Sequence, residues 1–183
     1  MSKPEISSFR GCYAFLSNFY PSPVEYEGDV YPTVENAYQA AKLLRRELRA
    51  PFLHCTARQS KRMGRALGIR ADWLSVREEI MHGLLLKKFY NPRLVRLLLR
   101  TGDAPIVEGN DWGDTFWGRC DGVGCNKLGV MLMEIRATLK KVPRPRKIPK
   151  RAEALQRRRE ELAELERKYQ ERLHERRLER RSR

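Results

Sequence analysis

The fold is organised around a helix whose first turns lie within Tyr31-Pro32-Thr33-Val34-Glu35-Asn36-Ala37-Tyr38-Gln39-Ala40-Ala41-Lys42. Thr33 follows a proline and can cap a helix, so a helix is predicted over residues 34–49, ended by Pro51. Apolar side chains recur along it at helical spacing and predict a face buried in the core. These side chains are Val34, Ala37, Tyr38, Ala41, Leu44 and Leu48.

Glu35 and Lys42 are seven residues apart, so they share one side of this predicted helix, with Gln39 between them. An acid and an amine beside a buried face can form the wall of a pocket. The same spacing also fits an ordinary solvated face on which Gln39 pairs with its neighbours. Spacing alone leaves both interpretations open.

The remaining elements predict a mainly α fold with a few short strands. A hairpin is predicted over residues 25–31, with a turn at Gly28-Asp29, and one short strand at Ile106-Val107. Further helices are predicted over residues 60–67, 73–90, 94–100 and 130–141.

A second candidate site is the segment 106–118, which combines Trp112, Phe116 and Trp117 with acidic side chains. A buried indole in irregular backbone needs a partner for its N–H group. Aromatic faces flanked by carboxylates suit a stacked nucleobase whose edge is read by hydrogen bonds. A small apolar cluster that pins a long loop is the alternative, and the sequence does not choose between them.

The charge balance indicates a polyanionic partner. The chain of 183 residues has 38 Lys and Arg against 23 Asp and Glu, a net charge of +15. Such a surplus excludes an inert surface and favours nucleic acid or a phosphorylated small molecule. No signal peptide or membrane-spanning apolar run is apparent, and four cysteines do not make a disulfide framework. We therefore expect a cytoplasmic protein, or a nuclear one in a eukaryote, with no membrane partner.

Uneven charge divides the chain into three parts. Residues 140–183 hold 18 Lys and Arg but only 8 Glu, whereas all Trp and Phe precede residue 140. We therefore predict a core domain over 1–139, a basic linker with three prolines over 140–150, and a charged helical tail over 151–183. The tail fits a solvated single helix or a coiled coil, and its charge could contact nucleic acid.

The motifs of the core are similar to those of a known family. Phe15-Leu16-Ser17-Asn18-Phe19-Tyr20-Pro21 and the opening stretch around Glu35 resemble the signature of the NADAR superfamily, also called YbiA-like. Later blocks follow in order at 63–65, 70–73, 87–89, 101–102, 107–108, 116–118, 126–129 and 132–136. The resemblance covers residues 8 to 139 and leaves the tail outside.

The resemblance implies a compact, mainly helical N-glycosidase, a hydrolase that needs neither a metal nor an organic cofactor. Its substrate would be a nucleotide-like small molecule or nucleic acid: a phosphoribosylated pyrimidine of riboflavin synthesis, or ADP-ribose attached to guanine. The alternative is a domain that binds ADP-ribose or nucleic acid without turnover. Independently, Cys120 and Cys125 lack a second ligand pair, so no zinc site is predicted.

The resemblance also implies the site residues. Glu35 would act as acid or base, Lys42 as a nucleophile through an imine, and Asp114 as a carboxylate that handles the sugar or a proton. The loop between Glu108 and Trp117 departs from the family pattern in its glycines and aromatics, which leaves the base contacts open. The expected substrate-binding residues are Asn18, Phe19, Trp73, Glu108, Trp117 and Asn126.

Overall fold

The computed structural model describes residues 3–66, 68–141, 159–168 and 171. The chain divides into two compact units, residues 1–142 and 143–183. The first unit is mainly helical, which confirms the predicted fold class. Its elements in chain order are β1 Val24–Tyr26, β2 Asp29–Tyr31, α1 Val34–Ala40, α2 Ala57–Ala66, α3 Trp73–Lys88, α4 Pro92–Arg100, β3 Gly109–Asn110, β4 Arg119–Cys120 and α5 Lys127–Lys141, with 3-10 helices at Gly11–Leu16 and Arg46–Leu53.

The predicted hairpin forms, but its turn lies one residue earlier than expected. β1 and β2 are antiparallel, and Tyr26 pairs with Asp29, which belongs to the second strand. The two turn residues are Glu27 and Gly28, with φ of 46° and 87°. Positive φ at both central residues matches the twist of the flanking strands, and Gly28 adopts it without steric cost.

Helix α1 ends at Ala40, with Ala41 as its C-cap, and is therefore much shorter than the predicted 34–49 helix. The Thr33 hydroxyl accepts the N–H of Asn36, as an N-cap should. At the other end, the buried Arg49 guanidinium donates to the carbonyl of Leu43 at 2.6 Å and pairs with Glu27. Arg49 thus satisfies a carbonyl beyond the helix that no helical N–H reaches.

The predicted apolar stripe is therefore correct only within α1 and the turn that follows. Val34, Ala37 and Ala41 are buried, but Leu44 and Leu48 are exposed. These two leucines lie beyond α1, where a helical spacing rule no longer applies. The core instead gains side chains from α3, α4 and α5.

The chain from Ile106 to Cys120 contains little regular structure. The predicted strand at Ile106-Val107 is only a single bridge between Ile106 and Ile6. The sheet pairing occurs next to it, where β3 and β4 are parallel over two residues each. This arrangement holds both ends of the intervening aromatic loop close together.

The second unit is described only over 159–168 and at 171, and residues 159–168 are helical. Glu164 pairs there with Arg167 at 2.8 Å and with Lys168 at 3.3 Å. The rest of the predicted 140–150 linker and 151–183 tail lies outside the described residues, except that Lys140 and Lys141 belong to α5. In the described part of the chain, no helix combines the length and apolarity needed to span a membrane.

Candidate functional site

A cavity of about 840 Å³ lies where α1, α2 and the first half of α3 meet the segments 8–10, 17–19 and 108–117. This volume is typical of small-molecule sites. The structure brings eight of the nine sequence-predicted site residues to its wall and leaves out Asn126. The eight are Asn18, Phe19, Glu35, Lys42, Trp73, Glu108, Asp114 and Trp117.

Glu35 faces the cavity from α1 and is only 6% exposed, as is Gln39 one turn later. The Gln39 amide donates a 2.8 Å hydrogen bond to Glu35 Oε1. The interpretation of this face as solvated is therefore wrong. Burial raises the pKa of Glu35, although the Gln39 bond and the ammonium groups of Lys61 and Lys42 oppose the shift.

Lys42 reaches the same cavity from the turn that follows α1. Its ammonium donates to the carbonyl of Gly64 in α2 at 3.3 Å and lies 5.9 Å from the centre of the Trp73 ring. Burial lowers the pKa of Lys42, and Glu35 partly counteracts this effect. An amine with a lowered pKa is a better nucleophile at neutral pH, because more of it is unprotonated.

Glu108 is the second acid of the cavity, and its pKa is strongly raised. Burial raises its pKa to about 7, with a further contribution from the negative charges of Asp114 and Glu35. Both protonation states of Glu108 are thus populated at neutral pH. A carboxyl group of this kind can donate or accept a proton in a reaction.

Asn126 does not line the cavity, so its predicted role in substrate binding is not supported by its position. It is buried, and both the oxygen and the nitrogen of its side-chain amide form hydrogen bonds within the protein. The Asn126 oxygen accepts the N–H of Glu108 at 3.0 Å, and its nitrogen donates to the carbonyl of Ile106 at 2.9 Å. Asn126 therefore holds the backbone that presents Glu108.

Asp114 contributes to the loop as well as to the cavity. One of its carboxylate oxygens accepts the N–H groups of Phe116 and Trp117, at 3.1 and 2.9 Å. The Asn110 side chain binds the backbone of Asp114 on both sides: its oxygen accepts the N–H of Asp114, and its nitrogen donates to the Asp114 carbonyl. The aromatic side chains of the loop are thereby fixed relative to the carboxylate.

Aromatic rings form the wall beside these acids. Tyr38 lies 4.9 Å from Trp73 and 5.6 Å from Trp117, measured between ring centres. The Tyr38 hydroxyl also forms a hydrogen bond with the side chain of Trp117. The N–H partner of the half-buried Trp117 indole is therefore a tyrosine from a distant part of the chain.

The sequence analysis missed the basic wall of the cavity, which α2 supplies. Its four cations lie at helical positions i, i+3, i+4 and i+7, and this spacing was the available signal. The predicted helix over residues 60–67 includes three of these cations and leaves out Arg58, and none of them was assigned to a site. The residues are Arg58, Lys61, Arg62 and Arg65.

Acidic and basic groups thus share one cavity that aromatic rings enclose. The carboxyl groups can exchange protons and stabilise a cationic sugar, and the cations can bind phosphate. Among the residues that the structure describes, no three His, Cys, Asp or Glu side chains are grouped so as to hold a metal ion.

Comparison with known proteins relates this cavity to a family. Residues 8–140 match the model of the NADAR domain. Over 132 residues, the chain is 36% identical to the N-glycosidase YbiA of Escherichia coli K12, covering 69% of this chain and 82% of that protein. It is 35% identical to an N-glycosidase of Nostoc punctiforme over 136 residues, covering 70% and 86% of the two chains. The NMR structure of the E. coli YbiA protein matches with a TM-score of 0.69 and 32% identity, covering 80% of this chain and 94% of that one.

Proposed function

Because this chain belongs to the NADAR domain family, we propose that its cavity is the active site of an N-glycosidase, a hydrolase that breaks the bond between a sugar carbon and a base nitrogen. One observation carries the proposal: Glu35, Glu108 and Asp114 line one cavity, and the charge of Asp114 contributes to the raised pKa of both glutamates. Lys42 shares that cavity. This set provides proton transfer and charge stabilisation in one place.

The cleavage needs a proton for the leaving base. When the C1′–N bond breaks, its electron pair stays on the base nitrogen and positive charge develops on the ribose. Burial raises the pKa of Glu35 and brings that of Glu108 to about 7, so the Glu108 carboxyl is partly protonated at neutral pH and can protonate the departing nitrogen. The Asp114 side chain, which lines the same cavity, can stabilise the cationic sugar. A water molecule then adds to C1′ and returns its proton to a carboxylate, so that one water is consumed overall.

Lys42 offers a covalent variant of the same reaction. Its unprotonated amine can attack C1′ as the base leaves, and opening of the ribose ring then gives an imine. Water hydrolyses the imine, which frees the sugar aldehyde and the Lys42 amine. The lowered pKa of Lys42 supports this role.

Asn18 is suited to orient the sugar or the base. It is buried at the cavity wall, and its amide nitrogen donates only to the sulfur of Met81, at 3.4 Å. Within the described part of the chain, nothing donates to its Oδ1 atom. A buried acceptor without a donor indicates that a bound molecule supplies one.

We propose two substrate classes for this site, a phosphoribosylated pyrimidine and an ADP-ribosylated guanine base. A relative from Vibrio vulnificus, 37% identical over 132 residues, is named a riboflavin biosynthesis protein, and this chain covers 36% of it. That name favours the pyrimidine. The basic wall suits the phosphate of either class.

The deciding experiment incubates the purified full-length protein with each substrate and quantifies the released base by chromatography. We expect release from one class at a rate that falls at least tenfold in Glu35→Gln. Binding of both compounds without release of base from either would contradict the proposal. That result would favour the alternative of a binding domain without turnover.

A further inference from the structure

The cavity contains an exposed aromatic and cationic cluster that takes no part in the proton transfers of the proposed reaction. Phe19 follows the first 3-10 helix, Lys61 lies in α2, and Trp112 lies in the loop between β3 and β4. The Lys61 ammonium lies 5.6 Å from the centre of the Phe19 ring and 5.1 Å from that of Trp112. Residues from three separate segments thus meet, with two rings beside one lysine. Phe19, Lys61 and Trp112 together form the mouth cluster.

The exposure of the mouth cluster distinguishes it from the rest of the aromatic wall. Phe19 is 38% exposed and Trp112 is 51% exposed, whereas Tyr38 and Trp73 are each 6% exposed. Burial of apolar surface accounts for the two inner rings. It does not account for a half-exposed indole beside a cavity, where such a ring is typical of a ligand-binding surface.

The cations next to the mouth cluster remain available to a ligand. Arg58, Arg62 and Arg65 are exposed, line the cavity, and form no ion pair within the described residues. Some other arginines of the same unit do form ion pairs, for example Arg46 with Asp29 and Arg70 with Asp72. From Arg58 to Arg65 the helix rises about 10 Å, which exceeds the reach needed for a single phosphate.

Lys61 also influences the buried acids of the reaction. It lines the same cavity as Glu35 and Glu108, and its positive charge opposes the rise in the pKa of both. A ligand that places its glycosidic bond at these acids must extend further to reach the two exposed rings. The volume of about 840 Å³ has room for more than a ribose and one base.

We propose that Phe19, Lys61 and Trp112 form a second subsite that binds a nucleotide unit of the substrate remote from the cleaved bond. The two rings stack on its base, since any base offers a π-face, and Lys61 with the neighbouring arginines binds its phosphate. The orientation of this unit rests on the proposed N-glycosidase function. The unit can belong to a dinucleotide-like small molecule or to a nucleic-acid strand.

The test measures binding to the full-length protein by calorimetry and needs no turnover. The probes are AMP, which has both a ring and a phosphate, adenosine, which lacks the phosphate, and ribose 5-phosphate, which lacks the ring. We expect AMP to bind at least tenfold more tightly than either of the others. Trp112→Ala should weaken AMP binding about tenfold, and Trp112→Phe should restore most of it.

Lys61→Gln separates the contribution of the phosphate from that of the ring. We expect this substitution to weaken the binding of AMP and to leave the affinity for adenosine unchanged. Two control variants lie outside the cavity: Lys141→Gln removes the same charge, and Leu74→Ala removes an exposed apolar side chain. Neither should change AMP affinity. In wild type, bound AMP should also protect Trp112, the most exposed of the three indoles, from acrylamide quenching.

Further probes distinguish the two sources of the nucleotide unit. A single-stranded tetranucleotide that binds more tightly than ADP, in a manner that depends on Trp112, indicates a strand. ADP binding as tightly as the tetranucleotide indicates a small molecule. AMP affinity unchanged in Trp112→Ala would overturn the subsite, even in a protein that releases base. Conversely, binding of AMP that depends on Trp112, in a protein that releases no base, would sustain the subsite and reject the proposed function.

Discussion

The side-chain amide of Gln39 connects the acid of α1 to the backbone of α2. Its nitrogen donates a 2.8 Å hydrogen bond to Glu35, and its oxygen lies against Gly64, where a Cβ atom would overlap it. Gly64 also accepts the hydrogen bond from Lys42. A single glycine therefore sets the position of both the acid and the amine of the candidate site.

Gly64→Ala should displace Gln39 from Glu35 and lower kcat/KM at least tenfold. Overpacking at such a contact costs about 1–3 kcal/mol of unfolding free energy. The control is Gly68→Ala, since a Cβ atom at Gly68 meets nothing within 4 Å. Unfolding in urea and turnover should both be unaffected in the control. Equal activity of the two variants would show that Gln39 does not position Glu35.

Glu35→Gln should lower turnover at least tenfold while the circular dichroism spectrum stays unchanged. The variant side chain keeps nearly the same volume but cannot donate or accept the catalytic proton. Glu134→Gln, at an exposed position of α5, is the matched control and should retain wild-type turnover. A fully active Glu35→Gln protein would remove Glu35 from the mechanism.

Glu108 should make the protein less stable as pH rises. Its pKa is about 7 in the folded protein against 4.5 for an ordinary glutamate. The folded state therefore holds more protons than the unfolded state between these values, and stability falls over that interval by up to about 1.4 kcal/mol per pH unit. Urea unfolding from pH 4.5 to 8 should show a shallower fall in Glu108→Gln. Parallel curves for the two proteins would contradict the raised pKa.

Lys88 should make the protein more stable as the pH rises above 7. Its ammonium is fully buried, donates to the Ser17 carbonyl at 2.7 Å, and has a pKa lowered by burial to about 7, from 10.5. The unfolded state then binds more protons between pH 7 and 10.5, so stability rises with pH across this window. Lys88→Met should abolish that rise, and Lys87→Met should preserve it because Lys87 is ion-paired to Glu25 at the surface. Unfolding free energy measured at several pH values decides the matter.

Lys42 should be trapped covalently if the imine route operates. Borohydride added during turnover would reduce the imine C=N bond to a secondary amine, which leaves the sugar on Lys42. Peptide mass spectrometry should find the adduct on this residue in wild type and not in Lys42→Arg. Turnover by Lys42→Arg, together with no adduct in wild type, would leave direct hydrolysis by water as the route.

Much of the fold follows from local pattern. The Thr33 cap, the helix that follows it and the hairpin before it depend on neighbouring residues, and their sequence signals predicted each of them. The end of α1 could not be predicted from local pattern, because it depends on Arg49, whose side chain donates to the carbonyls that come after the helix. Helical spacing says nothing about where such a competing donor lies.

The candidate site was also predictable only in part. The family motifs can be recognised in the sequence alone, and they gave eight residues that line one cavity. Tertiary structure alone decided that Asn126 holds the backbone at Glu108, that α2 turns its cations toward the acids, and that Glu108 titrates near pH 7. The physical reason is that proximity and desolvation arise between segments far apart in the chain. The pKa of a carboxyl group depends on the residues that bury it and on the charges near it, and local sequence spacing specifies neither.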